Sequence, residues 1–418
     1  MNILPKTLLV ITGALITRQA CALSWEECLV KVAAQNPELL ASRKAVQQAQ
    51  YQFYATRSAW FPQLSASASI RRGERETADG DWENTKSTSA SLDLDQLIFD
   101  GFGTKAKIDR RSAALRIAKS EHLQTCADVE LQLRLAYLDV LYSKELVELS
   151  RDIEERRRNN VRLVKVKFEG GRENKGSLLK SQAQHTQAQY DRAKAERRLT
   201  AARQELAAAL GSYLPIQEEA TGRLLAGEPD ELVDLVEMAR ATPDYLISET
   251  RVVSAEAGVK LARSSRMPKL TAGASAGESG DYDLENGNWS ASIRLSMPLF
   301  TGGEIRNEIK AAKADSEQAA LNLATTLNQL ASSLLQRWNS YRDAVDSLSV
   351  QQRLLESEEL RAKISAAKYQ QGLQSYEDWD AIENSLVRQL KTLLADKLTA
   401  AQSAARWKNA LGKSDLPN

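Results

Sequence analysis

The chain has 418 residues, and its 56 Lys and Arg against 55 Asp and Glu leave almost no net charge. Such a balance provides no overall field to recruit nucleic acid. His122 and His185 are the only two histidines, too few with three cysteines to build a metal-ligand cluster by spacing, so no metal site is expected.

In chain order, the first feature is Lys6, followed by an apolar run from Leu8 to Ile16 and the small-x-small triplet Ala20-Cys21-Ala22. This pattern predicts a removable export signal over 1–22 and a mature chain from Leu23. Acylation of Cys21 is an alternative, but that signal asks for an aliphatic residue where Arg18 stands. Cys28 and Cys126 then remain, read as small buried apolar side chains rather than a disulfide framework. No later apolar run approaches the roughly twenty residues of a spanning helix. Any crossing of a membrane is left to a closed β-barrel, whose strands hide their apolar face in alternation.

The mature sequence is one unit written twice. Asn36-Pro37-Glu38-Leu39 recurs as Thr242-Pro243-Asp244-Tyr245, and Trp60-Phe61-Pro62-Gln63-Leu64 as Arg266-Met267-Pro268-Lys269-Leu270. Phe99-Asp100-Gly101 matches Phe300-Thr301-Gly302, and Ala209-Leu210-Gly211 matches Ala410-Leu411-Gly412. These matches divide the chain into a first repeat over 23–211, a linker over 212–241, a second repeat over 242–412 and a tail over 413–418.

Between the prolines and the Phe-x-Gly motifs the apolar period is two. Leu64, Ala66, Ala68 and Ile70 alternate with polar residues, as do Leu92 and Leu94, Leu270 to Ala276, and Trp289 to Leu299. This predicts strands over 63–71, 88–99, 269–277 and 289–299, joined by polar loops from Arg71 to Ser87 and from Glu278 to Asn288. Two hairpins packed on a soluble core fit the same alternation. Trp60, Phe61, Phe99 and Phe300 flank the strands, however, as aromatics at a membrane interface do. Four strands cannot close a barrel, so a membrane reading requires several copies of the chain.

Neither proline nor glycine occurs from Thr104 to Phe168, and Leu131, Leu135, Leu138, Tyr142, Leu146, Leu149 and Ile153 form one helical stripe. Such a helix would be about 100 Å long at 1.5 Å per residue. The second repeat places its counterpart over 304–369. Gly171 and Gly372 suit the left-handed residue that ends each long helix. Ser375 with Asp378 three positions on forms a capping box for a return helix.

Helix, β-hairpin, very long helix and return helix, twice over, resemble the TolC-like outer-membrane efflux family across the whole mature chain. The resemblance is carried by Asn36-Pro37-Glu38-Leu39, Phe61-Pro62-Gln63-Leu64, Leu97-Ile98-Phe99-Asp100-Gly101, Pro298-Leu299-Phe300-Thr301-Gly302-Gly303 and Lys368 to Tyr376. It implies a mostly α fold with membrane β: a homotrimer whose twelve strands close a β-barrel continuous with a periplasmic α-helical barrel. It also implies a passive conduit seated in outer-membrane lipid and served by a periplasmic adaptor and an inner-membrane transporter, with no cofactor and no bond chemistry. Ser212 to Met238 would lie beside the helical barrel as a belt.

In the family, acidic residues after the second-repeat turn form a pore constriction, which points to Asp378 by its distance from Gly372. The second family aspartate would fall at Ala381, while this chain has Asp380 one residue earlier and Glu377 beside Asp378. Asp378 and Asp380 are therefore expected to face the pore; the plainer alternative makes Asp378 a helix cap and leaves Glu377 and Asp380 solvated. Two other classes compete. A periplasmic adaptor calls for one helical hairpin between compact β modules, and an enzyme calls for a phosphate loop or supported Ser/His or Cys/His arrangement that the sequence lacks.

Overall fold

In this computed structural model the described residues are 22–76, 78, 80–212, 219–281 and 283–416. The expected export signal, apart from Ala22, lies outside them, as does Cys21.

The chain starts with a two-residue strand β1 (Ala22–Leu23), then α1 (Trp25–Gln35) and α2 (Pro37–Arg57). A single 3₁₀ turn (Ser58–Trp60) leads into β2 (Gln63–Glu76) and β3 (Trp82–Phe99), followed by α3 (Gly103–Glu169) and α4 (Lys175–Ala209). After β4 (Glu219–Ala220) and the short α5 (Leu235–Arg240), the order repeats. It runs α6 (Pro243–Ser264), β5 (Lys269–Gly280), β6 (Asn286–Ser296), α7 (Glu304–Gln371) and α8 (Tyr376–Ala410).

Local chemistry sets these limits. Ser24 and Glu27 close a full capping box on α1, each side chain bonding the other's backbone N–H. Thr242 caps α6 with Pro243 in its first turn, where the missing N–H costs nothing. At 67 and 68 residues, α3 and α7 run unbroken because, past Gly103 at the start of α3, nothing in them removes an N–H or frees φ.

The described residues group into two units. The first holds 22–36, 132–227 and 344–402; the second holds 37–131, 228–343 and 403–416. In the first, β1 pairs with β4 in parallel, and the Tyr137 hydroxyl donates to the Leu23 carbonyl at 3.1 Å. Along α4, Ser181, Ala188, Ala195 and Ala202 are buried at steps of seven, a seam of small side chains that lets another helix approach closely. Cys28 is fully buried here, and Cys126 is buried in the second unit.

The second unit contains a four-stranded antiparallel sheet of order β2-β3-β5-β6. Its hairpins differ from the sequence expectation. The stretch from Arg71 to Ser87, read as a loop, is largely ladder: Arg71 pairs with Ser87 and the register continues to Glu76 opposite Trp82. Likewise β5 runs to Gly280 and β6 begins at Asn286. Backbone hydrogen bonds hold a hairpin whether or not its side chains alternate in polarity, so the apolar pattern marks only part of each strand. At its other end β6 stops at Ser296, short of the expected 299, because Pro298 has no N–H to give the ladder.

Candidate functional site: the sheet faces and the helix turns

Strand alternation sorts the sheet into two faces. On one, Leu64 stands opposite Leu94, Ala66 opposite Leu92, Leu270 opposite Leu295 and Ala272 opposite Ile293. This face is open in the single chain: Ile70, Ile293 and Trp289 are 76%, 76% and 79% exposed. Every residue of β2 and β6 is exposed. On the other face hydroxyls meet across strands, Ser67 with Ser91, Ser69 with Ser89 and Ser275 with Ser290, each pair 2.9 Å apart.

Of the flanking aromatics, Trp60, Phe61 and Phe300 are exposed. Phe99 is half-buried, packs edge-on against Phe102 at 5.6 Å and stands opposite Leu270 across a bulge. Trp289, read from the sequence as the start of an apolar strand face, and Trp82 share that face; Trp82 was hidden because the stretch around it reads as loop.

The long helices end in glycine turns. Gly171 has φ +68° and Gly372 φ +82°, values that cost a side-chain-bearing residue strain. Asn174 caps α4, accepting from the Ser177 N–H at 2.9 Å. Beside the turns, within the first unit, Val164, Tyr369, Tyr376 and Trp379 form a buried cluster. Tyr369 stacks on Trp379 with centroids 4.4 Å apart, and its hydroxyl donates to Glu173 at 3.0 Å. Lys167 donates to the Tyr369 carbonyl and lies 4.3 Å over its ring. Burial, then the Glu173 carboxylate, push the Tyr369 phenol well above its ordinary pKa.

The three acidic candidates separate here. Glu377 and Asp378 are exposed in the first turn of α8, where Asp378 and Ser375 hydrogen-bond each other, the Ser375 hydroxyl donating at 2.7 Å. Asp380 does not join them on the surface. It is 3% exposed, 2.8 Å from Lys180 and 3.9 Å from Arg157, and accepts from Gln184 at 2.8 Å. Residues two apart on a helix point about 200° apart, so Asp378 and Asp380 cannot share one outward face. The expectation that Asp380 faces a pore is corrected: its carboxylate is consumed inside the unit. One turn on, Glu383 is buried against Arg156 and Asn160.

His122 lies 2.8 Å from Ser42 and 3.8 Å from Cys126. Burial and then the Arg43 charge lower the His122 pKa, while burial raises that of the Cys126 thiol, the opposite of an activated nucleophile. Among the described residues no group of three or more His, Cys, Asp or Glu could hold a metal ion, and no helix is long and apolar enough to cross a membrane.

A family profile described as "Outer membrane efflux protein" matches residues 28–212 and 237–413. The chain belongs to that family. It is similar to the fusaric acid resistance protein FusA of Burkholderia cepacia, 27% identical over 67% of this chain and 56% of that relative. It is also similar to the outer membrane efflux protein BepC of Brucella suis, 24% identical over 81% of this chain and 74% of that one. A solved structure of CusC, described as forming a transmembrane channel, superposes with a TM-score of 0.84 at 18% identity, covering 93% of this chain and 92% of that one. The fold is thus the duplicated fold of the outer-membrane efflux channels, and this chain is an outer-membrane efflux channel protein. The adaptor alternative falls away with it.

Proposed function

We propose that three copies of the chain build one passive conduit, β2 of each pairing with β6 of the next to close a twelve-stranded barrel. One observation carries the reading. The sheet is open, four strands wide, with both edges long and all their side chains exposed. Long, exposed, apolar edges are aggregation sites unless another chain covers them, and lipid can cover the apolar face only when no edge remains. Three sheets place the apolar faces outward against lipid and the hydroxyl faces around water.

The long helices of the three copies would continue the conduit as a helical barrel, with the described part of the Ser212 to Met238 stretch beside it as a belt. A periplasmic adaptor and an energy-supplying inner-membrane transporter complete the route, and the channel itself performs no catalysis. Glu377 and Asp378 would gather threefold near the turn and form an acidic constriction, a ring that favours cations and resists full ionisation. A scan of cysteine pairs, one on β2 and one on β6, tests the closure. Oxidation should give ladders of two and three chains, and only single chains at every pair would rule it out.

A further inference from the structure

Where all four strands pair, the wetted face of the sheet carries four charged side chains; Arg71, Arg75 and Glu83 share this face further out, on the β2–β3 hairpin alone. Asp93 and Asp95 lie on β3; Lys269 lies on β5 and Arg294 on β6. Asp93 stands opposite Ser275, and Asp95 opposite Gly273, which stands opposite Ser292. Arg294 stands opposite Thr271. None of the four forms an ion pair among the described residues. Gly273 keeps the space between them clear, since a Cβ there would sit 3.4 Å from Asp95 Oδ1 and 3.5 Å from the Ser292 hydroxyl. Asp95, Lys269 and Arg294, together with Phe61 and Thr271, line one depression of about 780 Å³.

Two strand spacings across and two residues along put the Asp95 and Arg294 backbones roughly 12 Å apart. Asp95, Lys269 and Arg294 line one depression without forming an ion pair, so a solute at the wall meets an acidic side and a basic side. Charges kept apart across a wet wall produce local fields of opposite sign.

We propose that Asp93 and Asp95 on one side, and Lys269 and Arg294 on the other, make the conduit wall bipolar. They form a specificity element that favours solutes carrying both charge signs over ions of a single sign. This rests on the channel reading above, in which this face lines the water.

The test places a reporter thiol in each sector of the full-length chain in outer membranes, Ser275→Cys beside Asp93 and Thr271→Cys beside Arg294. The native Cys28 and Cys126 thiols are buried and silent. Rates with cationic and anionic methanethiosulfonates, each divided by the rate of a neutral one, should favour the cation at 275 and the anion at 271, by about threefold for a local potential near kT. Asp93→Asn with Asp95→Asn should abolish only the first preference, and Lys269→Gln with Arg294→Gln only the second. The same preference at both positions, or preferences that survive neutralisation, would overturn the proposal. Trimer content in the same samples separates the two readings: trimers with equal ratios count against this inference, and loss of trimers counts against the channel.

Discussion

Arg156 holds Glu383 by a two-point ion pair, Nε to Oε2 at 2.7 Å and Nη2 to Oε1 at 2.8 Å, joining α3 to α8 within the first unit. The Glu383 side chain is 2% exposed and the Arg156 side chain 39%. Removing the carboxylate strands a guanidinium that water can still partly reach. Glu383→Ala should therefore cost about 2 kcal/mol, below the 3–5 of a fully buried pair. Chemical denaturation of the detergent-extracted protein measures it, and an unchanged midpoint would count against the pair's importance.

The stack of Tyr369 on Trp379 is the other fastening at the turns. Trp379→Ala should cost about 3–4 kcal/mol, because it removes a buried indole from the cluster and leaves a cavity that its neighbours fill only in part. Tyr369→Phe loses only the bond to Glu173, about 1 kcal/mol. Limited proteolysis should then cut near 170–175 and 372–375 in the alanine variant first. Equal resistance of both variants would show that the turns do not depend on the stack.

His122 gives a pH dependence with a definite sign. Its folded pKa is lowered from 6.5, by burial first and then by Arg43, so folding favours the neutral ring. That stability is complete above about pH 6.5 and is lost as pH falls through the lower folded value. Between pH 7.5 and 5.5 the wild type should lose more stability than His122→Gln. An identical loss would mean that the ring is free to protonate in the fold.

Two glycines with left-handed backbones should respond differently to alanine. At Gly372, φ is +82° and nothing lies within 4 Å of an added Cβ, so Gly372→Ala pays strain alone, about 1 kcal/mol. At Gly412, φ is +66° and the Cβ would lie 2.1 Å from Pro243 Cδ, so overpacking adds to the strain and the total should exceed about 2 kcal/mol. Comparing the two unfolding midpoints checks the order, and equal midpoints would contradict it.

How much of this was legible in the sequence depends on how local each signal is. The duplicated order of elements and the helix ends at Gly171 and Gly372 rest on prolines, glycines and capping residues that act within one turn, and these can be read directly. The hairpin ends could not be read, since polar strands beyond Ile70 keep their ladder without any apolar alternation. Asp380 was misplaced because it was matched to a position one residue away, although each residue turns a helix by about 100°. Its partners Lys180 and Arg157, like Arg156 for Glu383, lie some 200 residues away, with no local pattern to announce them.

The central claim is that an open four-stranded sheet must share its wall with two others. Light scattering of the detergent-extracted chain, corrected for bound detergent, tests it most directly. Three chains per particle, with conductance in planar bilayers, is the result expected; a stable single chain that conducts nothing would contradict the account.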